Sequence, residues 1–364
     1  MGKLKKKLKE KNIEISAKRY GIDALGAMAQ GLFCTLLIGT ILNTLGSQLN
    51  IKFLTEPIFV NADGTISMTI GQFASMMVGP AMAAAIGYAL KASPLVLFSL
   101  IPVGYATNMM GGAGGPLAVL VTAIVAAEFG KLVSKETKID ILVTPIVTIL
   151  VGVGLSKLIA APIGEFASYI GNIIMWSTEL RPFLMGILVS VIVGMALTLP
   201  ISSAAICAAL SLTGLAGGAA VAGCCAQMIG FAAMSYGENG LGGLVSQGIG
   251  TSMLQMPNIV KNPKIWIAPT LASAITGPIA TCIFKLKMNG PAVSSGMGTC
   301  GFVGQIGIYT GWLNDIAAGT KTAITPFDWT GLVLICFVLP VILSIIFCRI
   351  EKKIGWIKPG DMKL

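Results

Sequence analysis

The chain has 364 residues, of which 55% are hydrophobic and 11% are charged. A soluble domain of this size carries about twice that charged fraction. The mean hydropathy of +0.85 and recurring apolar runs of membrane-spanning length exclude a soluble enzyme and predict an all-α polytopic membrane protein. Histidine is absent, which excludes Ser-His-Asp and Cys-His catalysis and His-ligated metal sites. We expect no catalytic residue, metal or cofactor in this chain.

Basic residues are concentrated at the two ends of the chain. Of the 25 lysines and arginines, eight lie within residues 1–20 and five within residues 349–364. The positive-inside rule then places both ends in the cytoplasm and makes the number of crossings even. Because these bases flank apolar segments, anionic lipid of the inner leaflet is a better partner than nucleic acid. We therefore divide the chain into a basic interfacial N-terminal helix (1–20), a single transmembrane domain (21–348) and a basic cytoplasmic tail (349–364).

Apolar segments predict about ten transmembrane helices. In chain order they span residues 21–45, 65–90, 94 to the glycines at 111–115, 116–131, 141–160, 182–200, two short helices within 201–234, 265–284 and 330–348. Residues 161–181 are less apolar and carry two glutamates, so we interpret them as an outside interfacial segment. Lys285 and Lys287 do not fit, because this topology places them outside. Either they snorkel to the interface or the assignment is off by one element there.

Three polar, glycine-rich clusters interrupt the apolar segments, and polar groups at membrane depth mark function. The first surrounds Asn108 and the glycines that follow it. The second begins at Gln227 and continues through 235–258. The third, 289–312, is too polar to face lipid and is predicted to be a re-entrant hairpin. The candidate substrate-binding residues are Glu238, Asn239, Gln227, Ser294, Ser295, Thr299, Gln305 and Asn108.

Glycines and small hydroxyl residues let a helix unwind and expose main-chain N–H and C=O groups, and such broken helices form substrate sites in transporters. The alternative is simple close packing of helices; three clusters flanked by Asn, Gln and Glu favour a cavity. Glu238 is the most informative acid, because it and Asn239 can bond sugar hydroxyls, or Glu238 can carry a proton. The alternative for Glu238 is a solvated loop acid. Glu128 lies one helical turn before Lys131 and is interpreted as its ion-pair partner.

Five strings in the second half of the chain carry a family resemblance. They are TLPISSAAI (198–206), GCCAQMIG (223–230), ENGLGG (238–243), GTSMLQMPNIVKNP (250–263) and GMGTCGFVGQIG (296–307). In these segments the chain resembles the perfringolysin-regulator (PfoR-like) membrane proteins. That family is classed with the type 2 EIIC permeases of the bacterial sugar phosphotransferase system. The resemblance extends over residues 22–348.

The resemblance implies a homodimeric permease in the bacterial plasma membrane, with a cytoplasmic EIIB-like partner that carries a phosphoryl group. In the better-known EIIC permeases, a membrane-embedded glutamate and a histidine help to bind and phosphorylate the sugar. This chain has no histidine and carries no attached EIIA or EIIB domain, so the sequence leaves open whether transport is coupled to phosphorylation. It is also open whether Glu238 corresponds to the family glutamate, because the motif around it differs.

The leading hypothesis is a membrane permease for a small polar solute, with a sugar as the first choice. The alternative is a non-transporting membrane sensor that regulates gene expression. It would bind its ligand in the same cavity and signal through the basic ends, and its effect would be indirect because nothing resembles a DNA-binding helix-turn-helix. A channel ranks last, because ring-forming charges are not evident in the sequence.

Overall fold

A computed structural model describes residues 2–61 and 66–364, without the side chains of residues 2–5 and 48. The predicted start of the second crossing, Thr65, lies outside the described residues. Most of the described chain is helical. Two short strands, β1 (Phe59–Val60) and β2 (Ser67–Met68), form an antiparallel pair.

The chain divides into two compact units, Met1–Phe166 (unit 1) and Ala167–Leu364 (unit 2). Within the described residues, six helices are long and apolar enough to cross a membrane, or seven if one bent pair counts as a span. The six are Arg19–Ser47, Pro94–Val133, Asp140–Thr178, Gly214–Met234, Pro263–Ile283 and Pro326–Ile354. The chain is thus an all-α polytopic membrane protein, as predicted, while the number of about ten crossings stays a prediction, because Pro94–Val133 counts once among the six although it contains two helices.

Unit 1 begins with α1 (Gly2–Glu10), which is shorter than the predicted helix. The helix stops because Asn12 is left-handed, with a φ of 54°, a conformation that asparagine adopts more readily than most residues. A long helix begins at Arg19; its α-helical parts are α2 (Ala24–Leu32) and α3 (Ile38–Gln48), with π-helical turns before and between them. This helix supplies the predicted first crossing.

The second predicted crossing is a bent pair of helices. The short α4 (Lys52–Thr55) precedes it. Helix α5 (Ile70–Met76) starts with a capping box, in which Thr69 and Gln72 each accept a main-chain N–H of the other. Helix α6 (Val78–Ala89) then leaves α5 at an angle of 50°.

Helices α7 (Pro94–Gly111) and α8 (Gly115–Val133) form a hairpin. Gly112 has a φ of 51°, which a residue with a Cβ adopts only at a cost, so α7 ends in the glycine cluster where the sequence predicts a break. The hydroxyl oxygens of Thr107 and Thr122 lie 3.1 Å apart across the hairpin. The two helices therefore run back along each other.

Helix α9 (Asp140–Thr178) is 39 residues long and continuous. The predicted helix end at residue 160 is therefore wrong, while the interfacial location of 161–181 stays a prediction, because a 39-residue helix is longer than the membrane core and extends beyond it. Pro162 lies inside the helix without ending it, since membrane helices tolerate proline where neighbouring groups satisfy the freed main-chain groups. The boundary between the two units falls within this helix.

The centre of unit 2 is α12 (Gly214–Met234), and most of its residues are buried. It begins where Gly214 has a φ of 65° and then runs unbroken. The two short helices predicted within 201–234 are instead the short α11 (Ser203–Ala209) and this long one.

Small residues on α12 let its neighbours approach closely. A Cβ built on Gly223 would lie 1.8 Å from the main-chain oxygen of Ser190 in α10 (Pro182–Thr198). Glycine at this contact allows the two backbones to touch, which is the packing mode of membrane helices.

After α12 the chain passes through short helical pieces and then two longer helices. In order, these are α13 (Tyr236–Val245), a π turn (Ser246–Gly250), a 3-10 turn (Ser252–Gln255), α14 (Met256–Lys261), a 3-10 turn (Pro263–Trp266) and α15 (Ile267–Pro278), which continues as a π turn (Ile279–Ile283). The predicted crossing over 265–284 is present in α15 and its π turn. The predicted polar stretch before it is folded into helical turns.

The predicted hairpin over 289–312 is a set of short turns followed by a helix. The pieces are two 3-10 turns (Ala292–Gly296 and Cys300–Phe302) and α16 (Val303–Ala317). Gly298, Gly301 and Phe302 have left-handed φ values, so the main chain here is irregular, and such backbone at membrane depth must be buried in protein or line a cavity.

The last helices of unit 2 are α17 (Pro326–Val333) and α18 (Leu339–Ile354), joined by a π turn. Gly355, with a φ of 82°, ends α18 by adopting the left-handed conformation common after helices. Residues 356–364, which we call the closing segment, then fold back over the end of the bundle. The sequence predicts a basic tail here, but not this fold.

Candidate functional site

The two ends of unit 2 are chemically different. Gly214, at the start of α12, pairs with Met288, while Ser235, directly after α12, lies at the other end of that helix. The 21 residues of α12 separate these ends by about 30 Å. The second of the predicted polar clusters lies at the Ser235 end, and that end also carries the closing segment.

A group of polar side chains lies at the Ser235 end. We call it the amide cradle, and it consists of Glu238, Asn239, Gln247, Gln255 and Asn258. Gln247 Nε2 donates to the Ser235 hydroxyl at 2.9 Å. Gln255 Nε2 donates to Gln247 Oε1 at 2.8 Å, and Asn258 Nδ2 donates to Gln255 Oε1 at 2.9 Å. Gln247 and Gln255 are fully buried, so a chain of neutral amides runs through the interior.

The local sequence explains how these side chains converge. Gly240 has a φ of 59° inside α13, which kinks the chain just after Glu238 and Asn239. The π turn and the 3-10 turn that follow carry Gln247 and Gln255. Glycine-rich, irregular helical turns therefore bring residues from four short elements to one place, as broken helices do in transporter sites.

The closing segment occupies the cradle. Met362 N donates to Glu238 Oε2 at 3.1 Å. The side chain of Asn239 donates to Met362 O at 2.8 Å and accepts from Leu364 N at 2.8 Å. Gln255 Nε2 donates to the same Met362 oxygen at 2.9 Å.

Further bonds hold the rest of the closing segment. Asn258 Nδ2 donates to Lys363 O at 2.9 Å. Asn262 Nδ2 donates to Trp356 O at 2.9 Å and to Asp361 Oδ2 at 2.8 Å. The Lys264 ammonium lies 5.3 Å from the centre of the Trp356 ring, a cation–π distance.

Gln227, another predicted site residue, belongs to a separate network at mid-helix. Its Oε1 accepts from Trp266 Nε1 at 2.9 Å and from Thr198 Oγ1 at 3.3 Å. Its Nε2 donates to Thr270 Oγ1 at 3.2 Å. Thr198 also lies 2.8 Å from the hydroxyl of Ser252, three residues before Gln255 of the cradle. The two networks therefore share one connecting stretch of chain and no direct side-chain bond in the described residues.

The four predicted residues of the hairpin are buried against α12. Ser295 Oγ donates to Leu212 O at 2.6 Å, and Thr299 Oγ1 lies 3.5 Å from Met228 Sδ. Gln305 Nε2 lies 3.2 Å from Cys225 Sγ, and its Oε1 has no hydrogen-bond partner in the described structure. The fourth predicted hairpin residue, Ser294, is also buried.

Asn108 is a residue of unit 1. It lies in α7 at the hairpin turn, where a Cβ built on Gly115 would be 2.5 Å from Asn108 Oδ1. In unit 2 the structure brings Glu238 and Asn239 together with Gln255 and Asn258. Gln227 and the hairpin residues lie elsewhere in that unit.

Sequence reasoning missed the closing segment and Glu351. Glu351 in α18 is 4% exposed, and neither carboxylate oxygen has a hydrogen-bond partner in the described structure. A buried ionisable side chain in a membrane helix is a functional candidate. The available signal for the closing segment was a few apolar residues within a basic tail, of which Ile357 and Met362 are buried.

At the opposite end of unit 2, Lys285 and Lys287 line a cavity of about 270 Å³. Both lysines are exposed, and the cavity also contains Asp315 and the ion pair of Lys321 with Asp328, at 2.8 Å. The two lysines that do not fit the predicted topology therefore lie close to Asp315 and Asp328, which reduces the local excess of positive charge.

Unit 1 has a buried charged corner. Lys131 Nζ lies 2.8 Å from Glu128 Oε2, which confirms the predicted ion pair, and Arg19 Nε lies 4.0 Å from Glu128 Oε1. Both cations donate to the main-chain oxygen of Leu90. Lys131 Nζ also donates to Asn12 O at 2.8 Å. This corner, defined as Arg19, Glu128 and Lys131, fixes the stretch after α1.

Helix α1 is held by exposed ion pairs. Glu136 accepts from Lys11 at 2.6 Å and from Lys7 at 3.1 Å, and Lys11 also donates to Ser134 O. These bonds hold the pKa of the Glu136 carboxyl below its usual value, and the bond from Lys11 has the larger effect. The basic helix therefore docks on the loop between α8 and α9.

A family model described as phosphotransferase system, EIIC, matches residues 22–364. The chain therefore belongs to the EIIC family of the phosphotransferase system, whose members are membrane components of sugar transport. Comparison with curated proteins and with solved structures gave no match.

Proposed function

We propose that the chain is the sugar-carrying permease subunit of an EIIC-type system, and that the amide cradle binds the hydroxyl groups of the sugar. The observation that carries this proposal is the chemistry of the cradle. Four neutral amides, three of them buried, and one carboxylate, Glu238, converge at the Ser235 end of unit 2 and bond to main-chain groups of the closing segment.

Amide side chains suit a polyhydroxylated ligand. Each Asn or Gln presents a donor and an acceptor side by side, as adjacent sugar hydroxyls do. A bond from Asn239 to a main-chain oxygen and a bond to a hydroxyl differ little in strength, since each contributes about 0.5–1.5 kcal/mol net. A sugar can therefore replace main chain in the cradle without leaving buried amides unpaired.

We also propose that the cradle end faces the cytoplasm of a bacterial cell. It carries Lys261, Lys264, Arg349, Lys352, Lys353, Lys358 and Lys363, and an excess of lysine and arginine marks the inner side. A cysteine introduced at the exposed Lys358 should react with an impermeant maleimide in inside-out vesicles and not in right-side-out vesicles. The reverse pattern overturns this orientation.

We also propose two protein partners, which the family implies. A cytoplasmic EIIB-like protein would meet the chain at the cradle end, and a second copy would complete a homodimer. Uptake measured with and without a phosphoryl donor and an EIIB protein separates two modes of transport. Free sugar inside the vesicles supports uncoupled transport, and sugar phosphate supports coupling.

The site assignment is tested by uptake of radiolabelled sugars into vesicles containing the purified protein. Glu238→Gln and Asn239→Ala should each abolish uptake, while the protein stays folded by size-exclusion chromatography and thermal melting. Unchanged uptake in both variants overturns the assignment. Asn262→Ala is the matched control, because Asn262 holds the closing segment and lies outside the cradle; uptake should be kept or increased.

A second candidate function is a membrane sensor of the PfoR-like kind. The observation that favours it is that both basic segments are docked: α1 on Glu136 and the closing segment on the cradle. Either docked segment could report ligand binding to a cytoplasmic protein. Removal of residues 1–19 should then abolish signalling and spare ligand binding; a truncated protein that still signals argues against this role.

A further inference from the structure

The cradle is filled by main chain of the same protein. Five hydrogen bonds from cradle side chains reach residues 362–364. All five use main-chain N–H or C=O groups of those residues, so none depends on the side chains of the closing segment. The cradle therefore recognises a pattern of donors and acceptors, which another molecule can also present.

The closing segment has the properties of a part that can leave. Within residues 355–364, the side chains of Ile357 and Met362 are buried, and Lys358 and Lys363 are exposed. Gly355, directly before the segment, and Gly360, within it, both have left-handed backbone conformations. Segments with few buried apolar contacts open at a lower free energy than the rest of a protein.

Sugar and closing segment require the same atoms. Asn239 uses its amide nitrogen and its amide oxygen on residues 362 and 364, and Gln255 Nε2 donates to Met362 O. A sugar bonded to these atoms would displace those main-chain groups. Apparent affinity for the sugar would then be reduced by the fraction of molecules in which the segment is docked.

We propose that residues 361–364 are a removable occupant of the amide cradle, and that the segment and the sugar exclude each other there. This inference rests on the proposed function, because the competing ligand is the sugar assigned to the same residues. It adds regulation of that site by the chain's own closing segment.

The test is cysteine labelling of the full chain in vesicles. The exposed Cys34 and Cys282 are replaced by serine, and Met362→Cys is introduced. The docking bonds use the main chain of residue 362, so the substitution leaves them in place. Labelling by a maleimide is followed with glucose, galactose, mannitol and lactose. A transported sugar should raise the labelling rate at residue 362 by at least about threefold, and the exposed control Lys358→Cys should not change.

A second arm needs no sugar. Asn239→Ala combined with Asn258→Ala removes three of the five bonds and should raise the Met362→Cys labelling rate in buffer alone. An unchanged rate in this double variant overturns the inference whatever the sugars do. Circular dichroism and size-exclusion chromatography confirm that the double variant is folded.

The two arms separate the inference from the proposed function. If a sugar is carried and leaves the Met362→Cys rate unchanged, competition is overturned and the permease function stands. If no sugar is transported and no sugar changes the labelling rate of Met362→Cys, the permease function fails. Competition with sugar then fails with it. A rise in the double variant then shows only that the amides hold the segment.

Discussion

Each unit holds a stretch of chain against the ends of its helices, but the two units do so with different chemistry. In unit 1 the charged corner of Arg19, Glu128 and Lys131 holds the stretch after α1. In unit 2 the neutral amides of the cradle hold the closing segment. The first arrangement buries net charge, and the second buries groups that can change partner at little cost.

The chemistry of the contacts decides how readily each stretch can be released. Removing one partner of a buried ion pair leaves an uncompensated charge, which is strongly destabilising. An amide that loses one partner can bond another donor or acceptor of similar strength. The comparison therefore supports a structural role for the corner of unit 1 and the proposed binding role for the cradle of unit 2.

Loss of the charged corner should destabilise the protein more than any other change considered for these two units. Glu128→Ala leaves Arg19 and Lys131 buried without a counter-ion and should lower the free energy of unfolding by about 3–5 kcal/mol. Thermal melting of the detergent-solubilised protein measures the loss. The exposed Glu14→Ala is the control and should melt like the unchanged chain. Equal melting temperatures for the two variants would remove the corner's structural role.

The second prediction concerns the close contact between α10 and α12, which packs unit 2 next to the amide cradle. Gly223→Ala places a methyl group where Ser190 O lies 1.8 Å from the built Cβ, so α10 and α12 must separate. Overpacking of this kind costs about 1–3 kcal/mol. Gly237→Ala, where the built Cβ meets nothing within 4 Å, is the matched control. Similar thermal melting for both variants would contradict the close contact.

A substitution in the amide cradle should lower the stability less than a substitution in the charged corner. Asn258→Ala removes the bonds to Gln255, Lys261 and Lys363 and should lower the free energy of unfolding by about 1–2 kcal/mol. Denaturant unfolding compares it with the exposed control Asn314→Ala. A loss as large as that of Glu128→Ala would mean that the cradle is as structural as the charged corner.

The smallest effect is a pH dependence of α1 docking. Because the pKa of Glu136 is lowered in the folded chain, its ion pairs contribute stability at pH values above the usual carboxyl pKa. That contribution is lost as the pH falls through the lowered value. Protection of α1 from trypsin should therefore decrease on acidification, and Glu136→Gln should show weak, pH-independent protection. Acid loss that persists in the variant would assign it to another group.

The sequence predicted the long helices better than the short ones. Apolar runs such as 21–45 and 330–348 correspond to helices because their length and composition leave few alternatives in a membrane. The end predicted at residue 160 is wrong, because a decrease in hydropathy does not break a helix. A left-handed residue does, as Asn12 and Gly112 show.

The candidate site was predicted by composition and not by geometry. Glu238 and Asn239 stood out as polar residues between glycines, and Gln247, Gln255 and Asn258 belonged to the same polar cluster. The closing segment lies more than 90 residues further along the chain than any of them, and no local pattern links the two. Its docking depends on long-range contacts, such as Asn239 with Met362, that periodicity does not contain.

The crowded surface of α12 also limits how this protein can change during evolution. At Gly218 and Gly223 even one additional methyl group would collide with neighbouring main chain. Mutations that alter ligand preference are therefore expected to accumulate away from this helix. Near the cradle, a Cβ built on Gly237 or Gly242 meets no atom within 4 Å, so new specificities can arise there while the central scaffold stays unchanged.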